Sequence, residues 1–205
     1  MIRSLDLIEM FSEIAVAMSE NRERLCQLDG EDGDGDHGMT MTYVFTILED
    51  TFSALDPART TPAEIFDITA EAFLKIDAKS AELYASGFRR AGTTLMRRRQ
   101  VTPEQFGKAL VAMGSSFKEK GTPGVSRLNV ADVWQLGVNA YLDSLEQGLT
   151  LSEALDTALT AANGGHVMAD AGRKSGAVNQ ADFTGYDAGG ASALLIFRAM
   201  RDTFS

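Results

Sequence analysis

The helical spacing of apolar residues along nearly the whole chain is the feature that most restricts its fold. Apolar side chains recur every three or four positions, as in the row Leu5, Ile8, Phe11 and Met18 near the start. This spacing places side chains on one face of an α-helix. No segment shows a convincing two-residue alternation of the kind that half-buried strands have. The sequence therefore predicts an all-α protein.

Three short motifs mark predicted helix starts. Each has a threonine followed three residues later by glutamate or glutamine, at residues 61–64, 102–105 and 150–153. In this capping box the threonine hydroxyl and the later side chain each bond to the other residue's backbone N–H. A proline follows the threonine in the first two motifs and suits the first helical position. The three motifs therefore place helix starts between the apolar rows.

The apolar rows and the motifs together give a domain plan. Short connections between successive helices favour antiparallel packing. We therefore predict one domain over residues 1–205, an all-α bundle of about eight antiparallel amphipathic helices. The helical segments fall at residues 5–25, 41–55, 61–76, 83–95, 102–117, 130–145, 150–162 and 191–204. The three long loops fall at residues 26–38, 120–129 and 172–190.

Composition and charge restrict the partners. The 205 residues include 19 Lys and Arg against 29 Asp and Glu, which gives a net charge of −10. This charge argues against nucleic acid as a partner, because phosphate neutralisation needs a basic face. The apolar stretches are far shorter than the ~20 residues that a membrane span needs. Asp6 and Glu9 interrupt the apolar pattern at the N-terminus, so we expect no signal peptide there. With Cys26 as the single cysteine, we expect no internal disulfide and a cytoplasmic location.

The sharpest local signal is an acidic, glycine-rich run over residues 28–38. Its five acids are Asp29, Glu31, Asp32, Asp34 and Asp36. No lysine or arginine lies between Arg24 and Arg59 to neutralise them. Two carboxylates about 4 Å apart repel by about 4 kcal/mol at an effective dielectric constant of about 20. Glycines let the backbone turn tightly, so several carboxylates can converge on one hard cation.

Three interpretations of this run are open. In a solvated, flexible loop, water and salt would screen the repulsion. A calcium loop of the EF-hand type would use Asp32, Asp34 and Asp36 first, but His37 stands where that loop needs glycine and Tyr43 where it needs its closing glutamate. The third interpretation is a magnesium site that also holds phosphates. Magnesium uses one or two carboxylates and leaves positions for phosphate oxygens.

Two blocks of the sequence resemble one known family. Residues 28–41, with the sequence L-D-G-E-D-G-D-G-D-H-G-M-T-M, resemble the L-D-x-x-x-G-D-x-D-H-G-x-N-M signature of the nucleotide-binding (L) subunit of dihydroxyacetone kinase. Residues 172–175 and 187–192 are similar to the family's G-R-A-S and D-P-G-A-x-S motifs. Residues 83–84 and 132–134 fall where family members have similar residues. The resemblance thus covers nearly the whole chain in the same order.

The resemblance implies a barrel of eight antiparallel helices, with a nucleotide diphosphate and two magnesium ions held in loops at one end. It implies Asp29, Asp34 and Asp36 as the metal ligands. The other residues that it places at the nucleotide are His37, Gly38, Met39, Thr40, Ser80, Gly121, Val130, Asp187, Ala188 and Gly189. It also implies that Arg173 pairs with phosphate and acts as the catalytic positive clamp on the transferring phosphoryl group.

The sequence departs from the family pattern at four places. Thr40 replaces an asparagine but can still form hydrogen bonds. Residues 77–81 read D-A-K-S-A where the family has G-G-A-S-G; Lys79 can reach a phosphate as a point charge, whereas the aspartate of this loop opposes it. Residues 126–129 replace G-D-K-T, and Ala188 replaces a proline that would pre-set the turn. The metal ligands are therefore kept, while the phosphate and adenine walls are altered.

The resemblance implies a phosphotransferase subunit that binds magnesium with ADP or ATP. It would pass a phosphoryl group to dihydroxyacetone or a related small ketose, such as erythrulose, held on a separate K-type subunit. The donor is either free ATP or a phospho-protein relay that recharges bound ADP. The alternative is a catalytically degenerate L-type subunit, a partner-binding or regulatory module with structural Mg·ADP, which the altered loop at residues 77–81 motivates. A calcium buffer is a third hypothesis, against which the failed EF-hand pattern counts.

Overall fold

The computed structural model describes residues 1–31, 33–121, 127–164 and 183–205, and this part of the chain forms nine helices. They are α1 (Ser4–Glu20), α2 (Arg22–Asp29), α3 (His37–Ser53), α4 (Pro62–Leu74), α5 (Lys79–Thr94), α6 (Pro103–Lys120), α7 (Val130–Glu146), α8 (Leu151–Ala162) and α9 (Ala188–Thr203). Within these ranges only isolated bridges, Ile2 with Val101 and Leu128 with Tyr186, show strand-like pairing. No described helix combines the length and the apolar character that crossing a bilayer requires. The prediction of an all-α bundle is confirmed.

The first predicted helix is two helices in the structure. The apolar row continues across residues 5–25, but the chain bends at Asn21 between α1 and α2. The backbone N–H of Asn21 and its side-chain Nδ2 both donate to the carbonyl oxygen of Ala17, at 3.3 and 2.8 Å. The side-chain amide therefore caps the end of α1, while the backbone carbonyl of Asn21 accepts from the N–H of Leu25 at 2.9 Å in the first turn of α2. An apolar spacing alone does not reveal such a break, because both helices bury the same side of the chain.

The first predicted loop is shorter in the structure. Helix α2 continues to Asp29 and α3 begins at His37, so helices occupy both ends of the predicted loop at residues 26–38. Helix α9 likewise begins at Ala188, three residues before the predicted start at residue 191. Residues 122–126 and 165–182, within or beside the other two predicted loops, lie outside the described residues.

The helices pack as a closed ring. Helix α1 packs against α3, α3 contacts α4, and α4, α5, α6 and α7 then follow in chain order. Helix α9 closes the ring between α7 and α1, and α8 packs against both α7 and α9. The first residues of α3, α5, α7 and α9 lie around one cleft, so these four helices begin at the same end of the ring. The loops that precede these four helices meet there.

Aromatic rings fill the interior of this bundle. Rings from seven helices contact one another in the order Phe11, Phe45, Phe73, Tyr84, Phe117, Trp134 and Phe197. The centroids of successive rings are 5.0 to 6.3 Å apart, and all seven residues are buried. Each such pair contributes about 0.5–1.5 kcal/mol beyond the burial of its area. The interior of the ring therefore has no room for a nucleotide-sized ligand.

We expect Gly137→Ala to destabilise the protein. A methyl group at Gly137 of α7 would lie 2.8 Å from Cε1 of Phe197 in α9, closer than two carbon atoms pack. Alanine in place of glycine normally stabilises a helix by about 0.5–1 kcal/mol. Here the overlap should instead lower the free energy of unfolding by about 1–3 kcal/mol, measured by urea denaturation. Gln135→Ala, on the exposed face of α7, is the control and should change it by less than about 0.5 kcal/mol.

Candidate functional site

A cleft of about 660 Å³ opens at the end of the ring where α3, α5, α7 and α9 begin. Its walls are the first residues of these helices and the connections before them. The first backbone N–H groups of a helix have no partner within the helix and carry a partial positive charge. Helix N-termini therefore bind anions such as phosphate. Four of them around one cleft make it a place for a highly charged anion.

The cleft brings together most of the predicted site residues. Its lining includes Asp29, Asp34, Asp36, His37, Lys79, Ser80, Gly121, Val130, Asp187, Ala188 and Gly189. Gly38, Met39 and Thr40 belong to the first turn of α3 but do not line the cleft. The side chain of Met39 is exposed to solvent, and Thr40 is buried. Arg173 lies outside the described residues.

Gly38 lets α3 start close to α2. A Cβ at this position would lie 2.9 Å from Sγ of Cys26 and equally close to the carbonyl carbon of Arg22. Any larger residue would push the two helices apart. The structure thus gives Gly38 a packing function, which sets the distance between the acidic residues at the end of α2 and those at the start of α3.

Three carboxylates meet at the edge of the cleft. One oxygen from each of Asp29, Asp34 and Asp36 lies within 4.8 Å of the other two. Oδ2 of Asp29 accepts hydrogen bonds from the backbone N–H groups of Asp36 at 2.9 Å and His37 at 3.2 Å. The end of α2 thus caps the start of α3. Asp36 occupies the N-cap position of α3, but its side chain makes no capping hydrogen bond. Its carboxylate therefore remains available to a cation at the cluster.

The electrostatics of this cluster favour a bound cation. Burial and the nearby carboxylates of Asp34 and Asp29 raise the pKa of Asp36. A divalent cation at this position would lower that pKa again, because it stabilises the charged form of each ligand. Carboxylate oxygens at this separation suit hard cations such as magnesium and calcium. The residues present therefore fit the metal that the sequence predicts.

Glycines allow the tight turn that holds the cluster. A Cβ at Gly33 would lie 2.7 Å from Oδ1 of Asp29. Gly35 has a φ of +78°, in the left-handed region that residues with a Cβ rarely adopt. These two glycines let Asp34 and Asp36 turn back toward the end of α2.

A buried hydrogen-bond network lies beneath the cleft. Nε2 of His37 lies 3.0 Å from Oγ of Ser192, and the Tyr84 hydroxyl lies 2.9 Å from the same oxygen. Ser192 donates its single proton to the carbonyl oxygen of Gly189 at 2.9 Å. His37 and Tyr84 must therefore both donate to Ser192, which has two lone pairs. The network joins α3, α5 and α9 at the ends that form the cleft.

Burial also decides the charge of this histidine. It lowers the pKa of His37 to about 4, although the carboxylate of Asp29 acts in the opposite direction. The ring is neutral near pH 7, in agreement with the hydrogen-bond pattern, in which Nε2 carries the proton. His37 therefore brings no positive charge to the cleft. Its contribution is to hold the first turn of α3 against α9.

Two capping arrangements form the opposite wall. Asn129 and Asp132 form a reciprocal cap at the start of α7, with N–H to carboxylate and N–H to amide distances of 3.1 and 3.0 Å. At the start of α9, the N–H of Gly190 donates to Oδ1 of Asp187 at 2.7 Å, and the N–H of Asp187 donates to the carbonyl oxygen of Leu128 at 3.1 Å. Burial raises the pKa of Asp187, whereas the N–H of Gly190 opposes the rise.

Tyr84, Arg127, Asn129 and Ser192 lie at or near the cleft in segments that the sequence compares with the family, but the sequence predicts no site role for any of them. Two of them have a local signal, since Asn129 starts an N-x-x-D capping pattern and Ser192 is a polar residue within an apolar run of α9. Arg127 has none. It pairs with Glu31 at 2.6 Å across a separation of 96 residues, which only the tertiary structure reveals.

Ser192→Ala should destabilise the protein through its polar neighbours. The substitution removes the only acceptor that the structure shows for the buried Tyr84 hydroxyl and for Nε2 of His37. A buried donor without a partner costs about 1–3 kcal/mol. We expect a loss of about 2–4 kcal/mol in the free energy of unfolding, measured by chemical denaturation. Ser115→Ala is the matched control, because this exposed serine only bonds back to the carbonyl oxygen of Val111. Equal effects of the two substitutions would contradict the network.

Comparisons with known proteins agree with this architecture. Residues 32–202 match the DAK2 domain family. The chain is 25% identical over 197 residues to the Listeria innocua protein named PEP-dependent dihydroxyacetone kinase 1, ADP-binding subunit DhaL, and the match covers 96% of this chain and 94% of that protein. It is 26% identical over 170 residues to the Lactococcus lactis protein named PTS-dependent dihydroxyacetone kinase, ADP-binding subunit DhaL, covering 82% of this chain and 81% of that protein.

One solved structure has a similar fold. It is the dihydroxyacetone kinase from C. freundii in complex with AMP-PNP and Mg²⁺, with a TM-score of 0.64 and 17% sequence identity. The similarity covers 95% of this chain but only 33% of that one, so this chain spans about a third of its length. At this identity the likeness concerns the fold alone. The family match covers most of the sequence and confirms the resemblance seen in its motifs: this chain belongs to the DAK2 domain family.

Proposed function

We propose that this protein is a phosphotransferase subunit that binds magnesium together with ADP or ATP. It passes a phosphoryl group to dihydroxyacetone or a related small ketose, such as erythrulose, held on a K-type partner subunit. The observation that carries this proposal is the meeting of three carboxylates, Asp29, Asp34 and Asp36, at the edge of a cleft formed by four helix N-termini. A cleft that combines carboxylates with anion-binding helix N-termini suits a cation that is bound to an anion.

The charges of the cleft explain why metal and nucleotide belong together. Phosphates alone would be repelled by the three carboxylates, although the helix N-termini attract them. Magnesium, and we propose two ions, would supply the missing positive charge and offset the charge of the transferring phosphoryl group. Asp29, Asp34 and Asp36 are the proposed ligands, and Lys79 and Ser80 at the start of α5 are the proposed phosphate contacts.

The remaining walls suit the rest of a nucleotide. Val130 at the start of α7 and Leu83 in α5 provide apolar surface, and Gly121 leaves room at the end of α6. Asp187, Ala188 and Gly189 bring the N-terminus of α9 to the cleft. Arg173, which the sequence resemblance assigns as the clamp on the transferring group, completes the proposed set. Phosphoryl transfer depends chiefly on positioning and charge, so no protein nucleophile is needed.

The names of the relatives favour a relay of phosphoryl groups. Both are ADP-binding subunits, one of a PEP-dependent kinase and one of a PTS-dependent kinase. We propose that this chain likewise keeps ADP bound, and that a phospho-protein relay recharges it. Free ATP is the other donor, and an assay that supplies each donor separately distinguishes them.

One observation favours a second candidate, a catalytically degenerate subunit whose Mg·ADP serves partner binding or regulation. Asp77 lines the cleft beside Lys79 and places a negative charge where the family has a glycine. Ala78 precedes α5 as its N-cap residue and makes no side-chain capping bond. A phosphate wall altered in this way can retain a nucleotide without supporting transfer.

A thermal melt tests the binding site. Mg²⁺ with ADP at about 100 times the Kd should stabilise the protein by about 2.7 kcal/mol, which corresponds to a rise in Tm of about 5–10 °C. Asp34→Asn should abolish this rise, whereas Asp50→Asn, an equal charge change on the exposed part of α3, should keep it. Without ligand, Asp34→Asn should melt no lower than wild type, because it relieves repulsion within the cluster.

Bound nucleotide is extracted first, because nucleotide retained through purification would mask the shift. A protein that carries no nucleotide and shows no shift with Mg²⁺ and ADP would overturn the proposed site. Stabilisation by Ca²⁺ alone, with no response to nucleotide, would instead identify a calcium buffer.

A coupled kinase assay tests the reaction. The protein is combined with a K-type subunit and either dihydroxyacetone or erythrulose, with ATP or with PEP and a relay protein as donor. We expect turnover with one donor, and a loss of at least about 100-fold in kcat for Asp34→Asn. Asp50→Asn should keep wild-type turnover. Nucleotide binding without turnover on either ketose with either donor would favour the non-catalytic module.

A further inference from the structure

Two permanent positive charges face the cleft in the described part of the chain, on Lys79 and Arg127. Lys79 stands at the exposed start of α5. Arg127 is held further in, since its side chain is 20% exposed, and it lies three residues before α7. The next residue, Leu128, joins the start of α9 through backbone hydrogen bonds with Gly185 at 2.8 Å and Asp187 at 3.1 Å, and the charge of Arg127 acts to lower the pKa of Asp187. Arg127 is therefore positioned between the α9 wall and the acidic loop.

Arg127 is bound to an acid that is not part of the carboxylate cluster. Nη1 of Arg127 donates to Oε2 of Glu31 at 2.6 Å. Glu31 follows the end of α2, is 58% exposed and is absent from the lining of the cleft. An ion pair with one solvated partner is weak, because water and salt screen it. The guanidinium can therefore leave Glu31 at little cost when a stronger anion enters.

The chemistry of the two anions decides between them. A guanidinium presents its N–H groups as a planar fork that matches two oxygens of a phosphate. A nucleotide diphosphate bears more charge than one carboxylate and would lie among helix N-termini that reinforce its binding. Lys79, as a point charge on a flexible stem, provides no such fork.

We infer that Arg127 exchanges Glu31 for a phosphate oxygen of the bound nucleotide, so that Glu31 competes with the nucleotide for this arginine. The inference rests on the proposed function and adds to it a residue that determines the affinity for the nucleotide. Arg127 is a phosphate-binding residue in the occupied site, and Glu31 holds its side chain at the cleft in the empty one. Removal of the arginine and removal of the glutamate should then have opposite effects on binding.

Calorimetric titration of the nucleotide-free protein with ADP at fixed Mg²⁺ tests this opposition. Arg127→Gln should weaken ADP binding by about 10- to 100-fold, the range for a lost hydrogen bond to a charged group. Glu31→Gln should tighten it by about two- to five-fold, since an exposed ion pair no longer competes. In the Arg127→Gln background, Glu31→Gln should have no further effect. Arg127→Lys, which keeps the charge without the fork, should lie between wild type and Arg127→Gln.

Two controls separate a phosphate contact from general charge or folding effects. Arg24→Gln makes the same charge change on the exposed surface of α2, outside the cleft, and should leave the affinity for ADP unchanged. Adenosine, which has no phosphate, should bind wild type and Arg127→Gln equally. An equal loss for adenosine and ADP would show that the arginine only maintains the shape of the cleft, and would overturn the inference.

The outcomes also distinguish this inference from the function on which it rests. If wild type binds ADP, Asp34→Asn abolishes binding and Arg127→Gln does not weaken it, the site stands and the role of Arg127 is wrong. A weaker affinity in Glu31→Gln would likewise overturn the exchange, because it would mean that the ion pair supports the bound state. If wild type does not bind Mg·ADP at all, both proposals are wrong.

Discussion

Contact between aromatic rings is the interaction on which the rest of this structure depends. Seven helices each contribute a ring to one interior row, in which successive rings lie 5.0 to 6.3 Å apart from Phe11 through to Phe197. Close-packed interiors deform little, so this row fixes where each helix lies in the ring. It also leaves no room for a ligand at the centre. A ligand therefore binds at the surface of the bundle, and at one end of the ring the packing sets the positions of the helix termini that form the cleft.

The alternating directions of the helices give that end its chemistry. Four N-termini attract anions, whereas the connection between α2 and α3 brings three carboxylates to the same edge. The phosphates that the N-termini attract are repelled by the carboxylates. A hard cation interacts favourably with both the carboxylates and the phosphates. The buried network of His37, Ser192 and Tyr84 lies beneath this arrangement and ties three of the four helix starts together.

Much of the fold followed from local patterns. The threonine capping boxes at residues 61–64, 102–105 and 150–153 all formed, because a cap depends on residues three positions apart. The break at Asn21 was not predicted, because both α1 and α2 bury the same apolar row. The acidic run does lie between two helices, as predicted, but the loop that contains it is shorter than the predicted residues 26–38. Its first aspartate, Asp29, belongs to α2 and caps α3, a contact across the loop that no local pattern shows.

The sequence by itself determined the helical class, the acidic run and the family, because spacing, composition and motifs are properties of neighbouring residues. Only the tertiary structure decided which residues face the cleft. It turned the side chain of Met39 outward, buried His37 as a neutral donor to Ser192, and brought Arg127 to Glu31. These outcomes depend on contacts between residues up to 155 positions apart, and the burial and charge of a side chain are fixed by such neighbours.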